Sequence, residues 1–397
     1  MRRRRITVWP RSVWEEARAI PLCLRGIDMN FEFDEAQKEF RKKVEEFARR
    51  EFTEEAASKY DLQEKYPEEV VRRMISEGVF DYSNPWNILV ATETFCKYDA
   101  GMGISMLVPF FGNEVIALFG NDDQKKKYLS KVFSGQAKMG LAVTEPGGGS
   151  DVANIKTTAV KEGDHYVLNG SKMFITNGDI ADFFVLLART SVEKKKHQGM
   201  SVFIVERNFD GFKSNKIHGK LGVRATDTAE LTLENVKVPA ENLVGEPGRG
   251  FYYIMTFFDI SRAYVAAQAL GIAEGILERA VGILQKDGPI TSQPERVQFA
   301  IADMATRIEA AKLLTYEAAS FIFNFNPNPA VTSMAKAYAA ETAVYVSRKA
   351  MEITGIDGLS SNIERSFRDA KIMEIWEGTS EIEKLVIARM LKVGDSQ

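Results

Sequence analysis

Between residues 30 and 138 apolar positions recur every three or four residues. Phe40, Val44, Phe47 and Ala48 line one face of a predicted helix, and Arg41, Lys42, Glu45, Arg49 and Arg50 line the other. Pro67-Glu68-Glu69 reads as a helix start, with Val70, Val71, Met74 and Ile75 following at helical intervals. Stretches 88–98 and 103–119 continue the period, and Asp122-Asp123-Gln124-Lys125-Lys126 opens a further helix with acidic residues in its first turn. Core packing alone explains each of these.

Around Met139 the period shortens. Stretch 157–161 is β-prone, Glu162-Gly163-Asp164 is a turn, and 165–168 continues as strand. Asn169-Gly170 is a strong hairpin signal. Apolar runs at 183–188, 201–205 and 229–233 complete a set of short strands. After Gly245-Glu246-Pro247-Gly248-Arg249-Gly250 the helical period returns over 251–284, 297–323 and 330–351. Two prolines and three asparagines make 324–329 a loop, and the Ala-rich stretch 335–350 suits tight helix packing or a subunit interface. The pattern predicts an α+β multidomain chain. Its parts are an extension over 1–28, a helical domain over 29–138, a β domain (small barrel or sandwich) over 139–246 and a helical domain over 247–397.

Hydrophobic content of 45% and charged content of 27% fit an ordinary globular protein of this length. A formal net charge of -3 argues against a nucleic-acid partner held by a basic field. Two cysteines, Cys23 and Cys96, make no disulfide framework and point to a reducing compartment. No apolar run approaches membrane-spanning length and no metal site is expected, so the expected location is cytoplasmic, without membrane insertion. The extension opens Met1-Arg2-Arg3-Arg4-Arg5 and carries Trp9, Trp14 and Cys23. Its apolar stretch, 19–24, is short for a secretory signal, and Glu15 and Glu16 count against a mitochondrial transit peptide, which would place the protein in the matrix.

One late stretch has the makings of a site. Apolar residues keep helical spacing over 367–376 and again over 382–391, and Glu377-Gly378-Thr379-Ser380 interrupts them. Gly378 allows backbone angles that other residues avoid, and Thr379 or Ser380 can cap the following helix. A carboxylate there stands beside N–H groups at a helix start, a geometry suited to a base next to a carbonyl. Spacing alone equally describes a capped turn with a solvated Glu.

Arg368-Asp369-Ala370-Lys371 followed by Ile375-Trp376-Glu377-Gly378-Thr379-Ser380-Glu381-Ile382 resembles the C-terminal signature of the acyl-CoA dehydrogenase family. The resemblance covers roughly residues 31–391, in the family's order of helical, β and four-helix-bundle domains. It implies that Glu377 removes the α-proton of an acyl-CoA while the β-hydride passes to N5 of FAD, giving the 2,3-enoyl-CoA. It further implies an electron-transfer flavoprotein as acceptor and a homotetramer. The thioester oxygen would be held by the Glu377 N–H and a ribityl hydroxyl.

Leu141-Ala142-Val143-Thr144-Glu145-Pro146-Gly147-Gly148-Gly149-Ser150-Asp151 is a strand and glycine turn that resembles the family's flavin-side loop. By that match Leu141, Val143 and Thr144 lie along the isoalloxazine and Ser150 sits between cofactor and pantetheine arm. Phe174-Ile175-Thr176-Asn177-Gly178 resembles the companion strand, with Phe174 in place of the usual Trp and Thr176 near N5. Thr379 and Glu381 are implied on the cofactor side, and Gly378 on the substrate side. Phe258 and Arg262 share a helix face, and with Asp259 they match the family's CoA contacts. Some relatives carry their catalytic Glu where Ser261 stands here, so the base falls to Glu377. Leu221-Gly222-Val223-Arg224-Ala225-Thr226-Asp227-Thr228 resembles a supporting loop by the substrate channel.

The chain departs from the family pattern in three places. Only Asp81-Tyr82-Ser83-Asn84-Pro85-Trp86-Asn87 fills a normally longer loop. The element that reaches a neighbouring subunit's FAD is contracted to Lys286-Asp287-Gly288-Pro289-Ile290. The Gln-x-x-Gly-Gly element reads Glu352-Ile353-Thr354-Gly355-Ile356, leaving Glu352, Gly355 and Ile356 as the implied cross-subunit cofactor residues. No basic residue occurs over 99–119, which argues against a distal substrate carboxylate, and Gly103, Met106 and Leu107 suggest an apolar pocket with spare room. The alternatives are an acyl-CoA oxidase or flavin monooxygenase on the same fold, and a non-catalytic assembly paralogue.

Overall fold

The computed structural model describes residues 33–391 apart from Ser83 and Phe325, so the extension expected over 1–28 lies outside the described residues. Helix α1 (Glu35–Glu51) begins with a capping box, in which Asp34 accepts from the Gln37 N–H and the Gln37 side chain accepts from the Asp34 N–H. Helices α2 (Glu54–Gln63), α3 (Glu68–Ser76), α4 (Pro85–Tyr98) and α5 (Ala100–Leu107) follow. Asn84 caps α4 with Pro85 in its first turn, and Asp99 caps α5.

The helix expected over 103–119 is broken. Val108–Phe110 is a 3₁₀ turn, and α6 (Asn113–Phe119) starts after Gly112 at φ +95°. Pro109 explains the break, because its ring excludes the α-helical hydrogen bond at that point. The reading of apolar runs also needs correction. The 20 residues Ala100–Phe119 are long and apolar enough to cross a membrane by length and composition, yet 67% of their most apolar window is buried inside the protein. They serve as core.

Eight strands form one connected sheet: β1 (Met139–Ala142), β2 (Thr158–Glu162), β3 (His165–Thr176), β4 (Phe183–Arg189), β5 (Met200–Glu206), β6 (Phe212–Lys216), β7 (Thr228–Pro239) and β8 (Leu243–Val244). The order is β6-β7-β3-β2-β4-β5-β8, with β1 parallel on β4. Alternate side chains of β4 serve two cores. Phe183, Val185 and Leu187 join the core shared with the helices, and Phe184, Leu186 and Ala188 join a second core inside the β domain. That is why the run reads as continuously apolar.

Asn169-Gly170 is not a hairpin. The β2–β3 turn lies at Gly163-Asp164, and β3 runs on through Gly170 with a register shift against β7. Gly170 has φ +147°, and a Cβ there would lie 2.7 Å from the Thr157 Cα. The glycine is demanded by a β-bulge and a close approach, not by a turn.

Beyond the sheet, α7 (Gly250–Leu284), α8 (Glu295–Phe323), α9 (Pro329–Thr354) and α11 (Ser380–Met390) form a bundle, with α10 (Asn362–Ala370) packed on α9. Helix α7 also crosses α4, where Gly271 and Gly275 let the backbones meet. Added Cβ atoms would stand 2.1 Å from the Glu93 carbonyl oxygen and 1.9 Å from that of Lys97. At the same crossing, buried Glu93 accepts from Arg41 at 2.7 Å and from the Tyr316 hydroxyl at 2.7 Å. The N-terminal helices and the bundle therefore share one core.

Candidate active site

After α10 the chain makes one 3₁₀ turn, Lys371–Glu374, and then reverses at Glu377 (φ +55°) and Gly378 (φ +105°). Thr379 caps α11 by accepting from the Ile382 N–H. A left-handed non-glycine residue costs roughly 1–2 kcal/mol, so this turn is held by its surroundings. Ser261 on α7 donates to Glu377 Oε2 at 2.5 Å. Lys336 on α9, fully buried, donates to the Gly378 carbonyl. Arg262 pairs with Asp259 at 3.0 Å and with the fully buried Glu383 at 3.0 Å.

Burial pushes the Glu377 carboxyl up to about 7, while the Ser261 hydrogen bond and the charges of Arg262 and Lys336 pull it back. Burial drives Lys336 down to about 8 against the attraction of Glu383 and Glu377. Burial also raises Asp259 to about 6, despite Arg262. The result is a carboxyl that changes charge near neutrality, within a balanced set of buried charges.

A cavity of about 70 Å³ adjoins Ser261 and runs between α4, α5, α6 and α7. Of the expected pocket residues only Leu107 lines it. Gly103 and Met106 are buried in helix packing, and a Cβ on Gly103 would lie 2.7 Å from the Phe95 backbone. The surface of the cavity is mainly apolar, and Tyr82, Asn113, Glu114 and Gln268 also contribute to its lining.

The glycine turn after β1 is built differently. Lys172, fully buried on β3, donates to the Val143 carbonyl at 3.0 Å and to Glu145 at 2.9 Å. Glu145 also accepts from the N–H groups of Lys156 and Thr157, at 2.6 and 2.9 Å. Burial tends to raise Glu145, but Lys172 and these donors outweigh it and hold the carboxyl below its usual range. Burial lowers Lys172 to about 8. The Met173 N–H donates to the Thr144 carbonyl, so the turn and β3 are tied together.

Leu141, Val143 and Ile175 are buried, Thr144 and Thr176 half-buried, and Ser150 exposed. Phe174 adopts φ +58° and leaves 67% of its surface exposed. Nothing lies within 4 Å of a Cβ placed on Gly147 or Gly148. An exposed ring on a strained backbone, beside an open glycine turn with hydroxyls at its edge, fits a flat aromatic cofactor of the FAD type.

The other expected residues are spread over the molecule. Phe258 and Asp259 are half-buried on α7, and Glu381 is exposed in the first turn of α11. The loop Leu221–Thr228 is clamped by α10: the Val223 N–H donates to Asp369 at 2.5 Å and Arg368 donates to the Leu221 carbonyl at 3.0 Å. Glu352 lies near the far end of α9, about 24 Å along the helix from Lys336 at 1.5 Å per residue, and Gly355 and Ile356 follow just past that end, Ile356 being 75% exposed. Residues 286–290 form a surface 3₁₀ turn and loop after α7.

Sequence reasoning missed Glu145, Lys172, Lys336 and the contact made by Ser261. A signal existed for Lys336, a single cation in the apolar register of an Ala-rich helix. Lys172 carried a weaker one, two residues before Phe174.

Models of acyl-CoA dehydrogenase domains match the chain in order: the N-terminal domain over residues 34–136, the middle domain over 140–236 and the C-terminal domain over 248–392. An acyl-CoA dehydrogenase of Bacillus subtilis is 38% identical over 372 residues, 89% of this chain and 97% of that protein. The caffeyl-CoA reductase-Etf complex subunit CarC of Acetobacterium woodii is 35% identical over 375 residues, 90% and 99% of the two chains. The solved structure of butyryl-CoA dehydrogenase from Megasphaera elsdenii superposes with a TM-score of 0.86 at 34% identity, covering 91% of this chain and all of that one.

Proposed function

The chain belongs to the acyl-CoA dehydrogenase family of FAD flavoproteins, oxidoreductases acting on CH–CH groups, and from that premise we propose that it converts an acyl-CoA thioester to its 2,3-enoyl-CoA with Glu377 as the base. The observation that carries the proposal is the Glu377 carboxyl, held by the hydroxyl of Ser261, a residue that also lines the cavity. The α-C–H of a thioester is a weak acid. A carboxylate poised to ionise near neutrality is a stronger base than an ordinary surface glutamate and is still ionised in useful amount. The Glu377 N–H, at a left-handed turn, donates to the thioester oxygen and stabilises the charge that develops there. Lys336 and Ser261 keep the turn and the carboxyl in that pose.

Leu141, Val143, Thr144, Ser150, Phe174, Ile175 and Thr176 would hold FAD on the β-domain side, with Thr379 and Glu381 beside it and Glu352, Gly355 and Ile356 supplied by a neighbouring subunit of a homotetramer. Bound FAD supplies the acceptor for the β-hydride. Ser150, Phe258, Asp259, Arg262 and Gly378 flank the path of the thioester and pantetheine arm. A cytoplasmic electron-transfer flavoprotein takes the electrons onward, a reading supported by the relative named as part of an Etf complex. That relative is named a reductase, so the same residues also serve reduction of an enoyl-CoA when the partner's potential favours it.

Anaerobic titration of the FAD-loaded protein with a panel of acyl-CoAs tests the proposal. Bleaching of the flavin by at least one saturated acyl-CoA is expected. A protein that takes up no FAD, or a flavin that no acyl-CoA reduces and no enoyl-CoA reoxidises, would overturn it.

A further inference from the structure

The cavity beside Ser261 has a feature that the proposed reaction does not use. Glu114 Oε2 and Gln268 Oε1 are both buried, both without a hydrogen-bond partner, and both belong to residues that line this one cavity. They come from separate elements, α6 and α7. A buried unpaired polar atom is costly, and two on the walls of one small cavity call for a partner from elsewhere. Tyr82 and Tyr264 add two ring hydroxyls to the same lining. An acyl pocket built only for a hydrocarbon tail needs none of these groups.

Resting on the reading above, we propose that the acyl group is short and ends in a hydroxyl that Glu114 and Gln268 bind. The size follows from the volume: about 70 Å³ holds roughly two to four water-sized groups. The cavity begins at Ser261, beside the base, so those groups are the atoms beyond the β-carbon. The polarity follows from the lining. No Lys, Arg or His is present to meet a distal carboxylate, and Glu114 would repel one. A hydroxyl has one proton to give, and it suits the pair because burial pushes the Glu114 carboxyl up to about 7: the protonated carboxyl donates to the hydroxyl, which in turn donates to Gln268 Oε1. Tyr82, in the loop before α4, is held at the cavity by its ring contacts with Phe110 and Phe133.

The test compares 4-hydroxybutyryl-CoA with its methyl isostere pentanoyl-CoA, and 5-hydroxypentanoyl-CoA with hexanoyl-CoA. Binding to the FAD-loaded enzyme is read by calorimetry and by perturbation of the flavin spectrum, and bleaching is followed separately. At least one hydroxylated member is expected to bind about tenfold or more tightly than its isostere, as a site built to bond a hydroxyl discriminates against the analogue lacking it. Glu114→Leu and Gln268→Leu should each reverse that ranking, while Glu114→Gln keeps much of it. Equal binding of each pair, or a ranking unmoved in whichever leucine variant folds, would overturn the inference and leave the dehydrogenase reading intact. Preference for 4-aminobutyryl-CoA over both would overturn the hydroxyl assignment. If no acyl-CoA perturbs the flavin, the underlying reading falls, and the inference with it.

Discussion

Ser261 and Lys336 hold the Glu377–Gly378 turn from two helices of the bundle, whereas the glycine turn after β1 is tied at its base by the buried Lys172–Glu145 pair and neighbouring backbone hydrogen bonds and is open at Gly147 and Gly148. The carboxyl side is closed, charged and set in a strained backbone. The flavin side offers exposed aromatic surface, hydroxyls and glycines with space in front of them. The difference follows from what each has to do. A base that competes for a weakly acidic proton gains from being fixed before the substrate arrives. A surface that receives a large flat cofactor must leave room for it.

The largest effect should come from the closed side. Glu377→Gln keeps the shape and removes the base, so flavin reduction by acyl-CoA should slow by about 10²–10⁴-fold with the flavin absorbance retained. Second is the tie beneath the glycine turn. Lys172→Met leaves Glu145 buried and unpaired, for a loss of about 3–5 kcal/mol in denaturant unfolding and weaker retention of FAD. If FAD retention survived that change while Glu377→Gln lost its flavin, the division between the two sides would be reversed.

The pH dependence is next. Glu377 must be ionised to act, so the rate of flavin reduction should rise with pH through about 7. Its folded-state value lies above the ordinary 4.5, so stability is fully present below 4.5 and is lost as pH rises toward 7. Glu377→Gln should therefore be more stable than the parent above pH 7, by about 1–2 kcal/mol after allowance for partial exposure. Ser261→Ala removes the hydrogen bond that most favours the ionised carboxylate and should move the rising limb of the rate profile to higher pH. Lys336→Met removes a cation that acts in the same sense and should move it by less, the smallest of these effects.

Much of the fold was legible because the chain states it locally. The switch from helical to strand period at Met139 and back at Gly250 needs no long-range knowledge, and Thr379 caps α11 as its position suggests. What failed locally failed for nonlocal reasons. Asn169-Gly170 has hairpin chemistry, but β7 lies alongside and draws the pair into a bulge. Met106 and Gly103 carry pocket-like residue types, yet Met106 is fully buried and Gly103 packs on the α4 backbone. Glu377 could be singled out from its motif. Its partner Ser261 is 116 residues away in sequence, and the register of Lys336 marks it as a buried cation without saying which carbonyl it meets once the bundle closes.

The central claim is that Glu377 takes the α-proton, and that step can be watched apart from any hydride transfer. A 3-thiaacyl-CoA has sulfur at the β-position and no hydride to give. Incubated with the FAD-loaded protein in D₂O and followed by proton NMR, its α-protons should exchange for deuterium, and Glu377→Gln should slow that exchange to near the buffer rate. Exchange as fast in the variant as in the parent would show that another group is the base.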